Sequence, residues 1–173
     1  MKNQVYAFLD SIGVVYDRES HAPAFHMDDC VEISDRMNAA HCKNYFLTTK
    51  SKKIHCLCLV RPNARFKTSD ISKQAGTPRL SFADEESMLE LLRVHPGSVS
   101  PMGLIFDPEN RVRLLIDREL PAAPRLAFHP CDNTETLVLS TQDFIEKFLP
   151  AVNHEPTFIE IHDFEETLGE DSF

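Results

Sequence analysis

No stretch of the 173-residue sequence approaches the roughly 20 consecutive apolar residues that a membrane-crossing helix needs. The start, MKNQVYAFLDSIGVVYD, sets Asp10 and Asp17 among its apolar positions, and no small-residue cleavage site follows, so a secretory leader is not expected either. Positive charge is scarce. Eighteen Lys and Arg stand against 27 Asp and Glu, for a net charge of −9. That argues against a broad basic face that coats nucleic acid, DNA included, but leaves room for a local contact with a nucleic-acid end. The five cysteines, Cys30, Cys42, Cys56, Cys58 and Cys131, contain no C-x-x-C pair, and their number is odd. A disulfide framework or a closed zinc site is not expected; reduced thiols in a cytoplasmic protein are the simpler reading. Internal repeats, low-complexity stretches and a glycine-rich nucleotide fingerprint are also missing.

What is present is ordinary for one globular domain: 42% hydrophobic and 26% charged residues over a length that buries a core without a second unit. The domain is expected over residues 1–162, followed by an acidic tail, 163–173, too charged to pack. Val5, Phe8, Leu9 and Ile12 have helical spacing, with Gly13 placed for a left-handed cap. VVYDRES reads as a strand and HAPAFH as a loop; a short helix from Met27 to Met37 follows, with acids in its first turn. KNYFLTT and IHCLCLV form an expected hairpin around KSKK. Thr68 to Gln74 and Asp84 to Val94 read as helices, and HPGSVSPMG as irregular. LIFD and VRLLID are expected to form a second hairpin around Pro108, Glu109 and Asn110. LAFHP, TLVLS and TFIEI complete the strands, and Ser140 and Asp143 have capping-box spacing ahead of a last helix. Paired strands with helices between the pairs imply an α/β (α+β) fold with a mixed sheet rather than a regular βαβ winding.

Several residues could carry chemistry, each with a plainer alternative. Gly97-Ser98-Val99-Ser100-Pro101-Met102-Gly103 can aim successive backbone N–H groups at one point, a nest for an anion or oxyanion; alternatively Gly97 caps the preceding helix and Pro101 holds a turn. Ser98 and Ser100 lack the G-x-S-x-G setting of an activated nucleophile. Lys43, beside Asn44, could hold a phosphate as a point charge or be a solvated strand end. His129, at a strand end near Asn133, could move a proton near neutral pH or be a hydrogen-bonded structural ring. For a metal, His41-Cys42, His55-Cys56-x-Cys58 and His21-x4-His26 lack a second ligand pair, and the cysteines read better as core residues.

HAPAF at 21, KNYFL at 43, RLSFADEE at 79, PGSVSPMGL at 96, the strand-end Asp117 and FHPCDNTET at 128 occur in order over about residues 1–161. Together they resemble the YbaK-like aminoacyl-tRNA editing domain, in the free-standing branch related to the prolyl-tRNA synthetase-associated domain. The resemblance implies a mixed, largely antiparallel sheet curled into an open barrel with flanking helices. It implies hydrolysis of the ester that joins a wrong amino acid to tRNA, typically alanine on proline tRNA, without metal, cofactor or covalent enzyme intermediate. Lys43 matches the lysine that faces the terminal nucleotide, Gly97 to Pro101 the glycine-to-proline loop, and His129 the histidine of the His-Pro segment. Asp117 and Asn133 match polar positions near the pocket. Met102 replaces the usual phenylalanine after the loop proline, and His26 stands where a Thr or Ser usually caps a helix, changes that bear on pocket shape.

The implied chemistry makes sense of these residues. An aminoacyl ester is already activated, so a positioned water and a stabilised oxyanion suffice, with amides near Gly97 and Ser98 as donors. Lys43 would hold the terminal adenosine or its phosphate. His129, Asn44 and Asn133 would orient substrate or water, and a hydroxyl of the terminal ribose is a candidate to help deliver it. Ser100, Pro101, Met102, Arg79 and Asp117 are expected around the substrate. Lys43, Lys50, Lys52, Lys53, Lys67 and Arg79 are candidates for a limited basic rim that meets the tRNA 3′ acceptor end. Monomer and homodimer are both compatible with the sequence. The alternative is a non-catalytic tRNA-end-binding or regulatory module whose pocket is plugged by side chains such as Met102.

Overall fold

The computed structural model describes residues 1–24 and 27–162; Phe25, His26 and the acidic stretch 163–173 lie outside them. Helix α1 (Lys2–Ser11) buries Val5, Tyr6 and Leu9 along one face, and Gly13 follows it at φ 73°. Strand β1 is Tyr16–Ser20, α2 Met27–Arg36, β2 Ala40–His41, β3 Lys43–Thr49 and β4 His55–Val60. Helix α3 (Thr68–Ala75) ends at Gly76 in the left-handed region. Strand β5 (Leu80–Phe82) leads into α4 (Glu85–Leu92), whose N-cap Asp84 accepts from the Ser87 N–H at 2.9 Å. Then come β6 (Val112–Asp117), β7 (Arg125–Phe128), β8 (Glu135–Ser140) and β9 (Thr157–Ile159). Between β8 and β9 the chain is helical from Thr141 to Ala151, with a π turn over Phe144–Phe148. Ser140 Oγ caps it, accepting from the Asp143 N–H at 3.0 Å, as the spacing predicts.

The strands form two mixed sheets, one in the order β1-β8-β7-β2 and one in the order β5-β3-β4-β6-β9. Antiparallel pairings predominate, and β2–β7, β4–β6 and β6–β9 are the parallel ones. The mixed α/β class and the β3–β4 hairpin, with Lys43 opposite Val60, agree with the expectation. The described strands do not close into one barrel. Alternation along the central strands explains the packing. Phe46, Leu57, Leu59, Leu114 and Ile116 face a core shared with Leu126, Phe128, Leu137 and Leu139 of the other sheet, closed by α1 and α4. Leu47, Cys56, Cys58, Val60 and Leu115 point the other way, into a smaller core under Ile71 of α3. β4 is buried throughout because it is covered on both faces. The cysteines at 56 and 58 are thus core side chains, their thiols pushed up by burial, Cys56 to about 11.

The hairpin expected from LIFD and VRLLID does not form. Pro101–Phe106 is a 3-10 segment, its start capped by Ser100 Oγ, which accepts from the Met102 N–H at 3.1 Å. Gly103 is pressed so closely on α4 that a Cβ would lie 2.7 Å from the Leu92 carbonyl oxygen. β6 therefore finds its partners in parallel, on β4 and β9. The α4 cap also differs from the expected one. The left-handed residue is Arg93, at φ 58°, and Gly97 is left to shape the loop beyond it.

Candidate functional site

Where β3 begins, β7 ends and the loop after α4 passes, the walls enclose a cavity of about 190 Å³. Lys43, Asn44, Gly97 and His129 line it, with Ala24, Cys30, His41, Cys42, Tyr45 and Val99. Larger hollows exist, of about 310 Å³ beside α3 and about 430 Å³ beside Thr141; the first, lined by Lys67, Lys73 and His162 with Asp70 and Glu160, mixes both charges, and the second is lined by no cation or imidazole. The volume lies below the roughly 300–1,000 Å³ of sites for drug-sized ligands, so only a small group would fit inside.

His129 is oriented by the backbone of β8. Its Nδ1–H donates to the Glu135 carbonyl at 3.0 Å, since a carbonyl can only accept. That leaves Nε2 as the ring's acceptor, and among the described residues it faces the Cys30 thiol, at 3.9 Å. Burial pushes the pKa of His129 down, the Glu135 carbonyl pulls it back in part, and His21 pushes it down again; the net shift is downward. Burial holds His41 at about 4, with His129 and Lys43 adding to the effect. Both rings are therefore neutral at pH 7, and Lys43 is the cation among the lining residues. Burial, with Asp29 behind it, pushes the Cys30 thiol up, so it stays protonated.

Glu135 supports this arrangement from behind. Its buried carboxylate meets Lys2 Nζ at 2.8 Å and Arg18 Nη2 at 2.9 Å, and accepts from the Tyr6 hydroxyl at 3.3 Å. Burial opposes its ionisation, but the Lys2 ammonium and the Arg18 guanidinium outweigh that and hold its carboxyl below the usual range. α1 and β1 are thereby tied to the residue whose carbonyl orients His129.

Asn44 is the clearest sign of an unmet need. Its Nδ2–H donates to the Cys42 carbonyl at 3.2 Å, while Oδ1 is buried and accepts nothing among the described residues. An unpaired buried acceptor costs about 1–3 kcal/mol, so a site that keeps one has a donor in prospect. Gly97, at φ 89°, takes a conformation that L side chains rarely adopt, and a Cβ on it would point toward Asn133 Nδ2, 3.9 Å away. Of the two amides expected as oxyanion donors, Ser98 N–H is already given to the His95 carbonyl at 3.0 Å. The Gly97 and Val99 amides make no hydrogen bond among the described residues.

Other expected residues lie elsewhere. Ser100 Oγ caps the 3-10 segment, Pro101 begins it, and Met102 is wholly buried in the larger core. These three support the loop from beneath, and Met102 does not plug the cavity. Asp117 is buried at the end of β6. Its Oδ2 accepts from Arg61 N–H at 3.1 Å and Nε–H at 2.7 Å, and its Oδ1 accepts from Glu119 N–H at 3.1 Å. This clamp ties the ends of β4 and β6 and does not line the cavity. Lys50, Lys52 and Lys53 sit in the β3–β4 turn, about 20 Å along β3 from Lys43 at ~3.3 Å per residue. Lys52 is paired there with Asp84 at 2.8 Å. Arg79 adjoins Leu80, whose partner is Thr49, so it belongs to the same far end. Lys67 lines the hollow beside α3. His41 and Tyr45 join the walls without having been singled out for them. Both stand two residues from Lys43, a spacing that sends side chains to one side of an extended chain.

A family model described as the aminoacyl-tRNA editing domain matches residues 21–147. The chain is 32% identical over 155 residues to prolyl-tRNA synthetase associated domain-containing protein 1 of Bos taurus, covering 87% of this chain and 90% of that one. It is 29% identical over 150 residues to the prolyl-tRNA editing protein ProX of Acetoanaerobium sticklandii, covering 87% and 91%. Among solved structures, a candidate trans-editing enzyme for prolyl tRNA synthetase superposes with a TM-score of 0.68 at 14% identity, over 94% of this chain and 96% of that one. At that identity the likeness establishes the fold.

Proposed function

Since the chain belongs to the aminoacyl-tRNA editing domain family, we propose that it is a trans-acting deacylase. It hydrolyses the ester of a mischarged tRNA, with alanine on proline tRNA as the substrate put first. The family acts on aminoacyl-tRNA, and one relative is named a prolyl-tRNA editing protein. The observation that carries the reading is the composition of one small cavity: an ammonium, two neutral imidazoles, an unfilled buried acceptor and unengaged main-chain amides.

The roles follow from the atoms. Lys43 holds the terminal nucleotide through its phosphate or ribose as a point charge. Asn44 Oδ1 accepts a hydrogen bond from the α-ammonium of the aminoacyl group, which gives the orphaned acceptor its donor. Nε2 of His129 takes a proton from the attacking water, a task open to a neutral ring near pH 7, and returns it to the ribose oxygen as the acyl C–O bond breaks. Negative charge builds on the carbonyl oxygen and is met by the amides of Gly97 and Val99, at no cost in reorganisation. Small size supplies selection. A synthetic site separates amino acids differing by a methylene by only ~1–3 kcal/mol, so a second site that admits the smaller one corrects the error.

The test is release of alanine from alanyl-tRNA for proline by the purified protein. Lys43→Ala is expected to slow release by about 100-fold, the worth of roughly one charge-assisted hydrogen bond in a water-poor site. A panel of mischarged tRNAs from which micromolar protein releases nothing overturns the proposal.

A further inference from the structure

Three aromatic rings meet at the rim of the cavity, Tyr45 and Phe66 leaning on the smaller core and Phe82 standing beyond it in solvent. Tyr45, part of the cavity wall, stacks on Phe66 with centroids 4.1 Å and planes 22° apart. Phe82 touches both, 5.9 Å from Tyr45 and 6.3 Å from Phe66. The register accounts for the meeting. Phe82 pairs with Leu47, and Tyr45 precedes Leu47 by two residues, so both rings leave the same face of the sheet. A ring recruited for the core would be covered, whereas Phe82 is 62% exposed, on the edge strand β5. Next to this cluster the chain collects cations. Phe66 lies between Arg65 and Lys67, and both line the 310 Å³ hollow with Lys73, where the three cations face the acids Asp70 and Glu160. None of the three makes an ion pair among the described residues, in a chain whose acids outnumber its bases 27 to 18.

We infer that Tyr45, Phe66 and Phe82 form a stacking shelf for the unpaired nucleotides that precede the terminal one of the tRNA 3′ end, with Arg65 and Lys67 meeting their phosphates. The inference rests on the editing-domain reading of the cavity. Every base has a π-face, so rings continuous with the cavity bind a single strand with little regard to sequence, and flanking cations follow its backbone. An acidic surface elsewhere repels the remainder of the tRNA, which confines the contact to this end. The shelf gives the cavity what its own volume lacks: affinity for a nucleic acid whose reacting part is small.

The probe is a fluorescent single-stranded RNA tetranucleotide ending in CCA and carrying no amino acid. Phe82→Ala is expected to weaken its binding at least about fivefold, and Phe82→Tyr to retain it, since stacking needs only the ring. Replacing Arg65 and Lys67 together by Gln is expected to flatten the dependence of log affinity on log salt by about 1.4, at roughly 0.7 for each phosphate no longer neutralised. In deacylation, Phe82→Ala is expected to raise KM and leave kcat alone. Binding by Phe82→Ala equal to that of the wild type overturns the shelf, and so does a wild type that does not bind the tetranucleotide. The two readings fail separately. A wild type that binds RNA in a Phe82-dependent way but releases no amino acid keeps the shelf and removes the deacylase. One that deacylates with Phe82→Ala indistinguishable from it does the reverse.

Discussion

Two histidines, His154 fully buried and His129 half-buried, occupy opposite kinds of surroundings. His154, after the last helix, has both ring nitrogens engaged: Nδ1 with the Val152 carbonyl at 2.6 Å and Nε2 with the Asp107 carboxylate at 2.9 Å. Asp107 is saturated in turn, its two oxygens accepting from the amides of Arg111 and Val112. Every nitrogen and oxygen of that pair of side chains has a partner. His129 has one nitrogen fixed on a carbonyl and the other on a weak thiol contact beside a cavity. The first ring fastens the turn before β6 to the chain end that leads into β9; the second is held in place with one atom in reserve. A satisfied polar group stabilises, and a half-satisfied one is kept for a purpose.

The contrast can be broken in three places. Asp107→Ala should have the largest effect on folding, about 3–5 kcal/mol, because it strands a buried imidazole among unpaired amides. Urea unfolding measures it, and the folded fraction should deacylate normally; a loss of ~1 kcal/mol would mean that the pair is not a fastening. Next, His129→Gln keeps a donor near the Glu135 carbonyl but removes the basic nitrogen. It should reduce kcat about 100-fold, within the ~10²–10⁴ range of general-base loss, with stability nearly unchanged. Reversed outcomes, an unfolded variant or an active one, would make His129 a second His154. The smallest effect is in pH. His129 and His41 are held below the ordinary histidine value, so kcat/KM should be level from pH 8 to ~6.5 and fall only below that. The unfolded chain protonates these rings first, so stability also declines as pH falls from ~6.5 toward 4, by up to ~1.4 kcal/mol per unit for His41. A kcat/KM profile that already drops above pH 7 would show His129 to be an ordinary exposed ring.

Legibility in the sequence followed the range of the interactions. The β3–β4 hairpin, the Gly13 turn and the Ser140 cap are settled by neighbours a few residues apart, and they could be read directly. The parallel partners of β6 could not, because Val112–Asp117 carries no mark of pairing with His55–Val60 or Thr157–Ile159. LIFD looked like a strand because its apolar run has no period of its own, and the constraint that made it helical is the close approach of Gly103 to Leu92. For the site, residue type and position at strand ends and in a loop make Lys43, Gly97 and His129 candidates, each with a plainer alternative, and the six ordered motifs supply their roles. Asp117, Arg79 and Met102 belonged to the same motifs but are used for a buried clamp, a far strand end and the core. A motif preserves what a fold needs as well as what a reaction needs, and only placement separates the two.

The pairing of β1 with β8 sets Tyr16 opposite Leu139 and Ser20 opposite Glu135. A ribosome issues the first of these strands long before the second, at ~5–20 residues per second. Until then β1 waits with a bare hydrogen-bonding edge, and Glu135, whose carboxylate draws in Lys2 and Arg18 and whose carbonyl aims the ring at 129, does not yet exist. A nascent chain halted before that point has Lys43 and the loop at Gly97 but no aimed imidazole, so on the proposed reading the cavity is completed only with the last third of the chain.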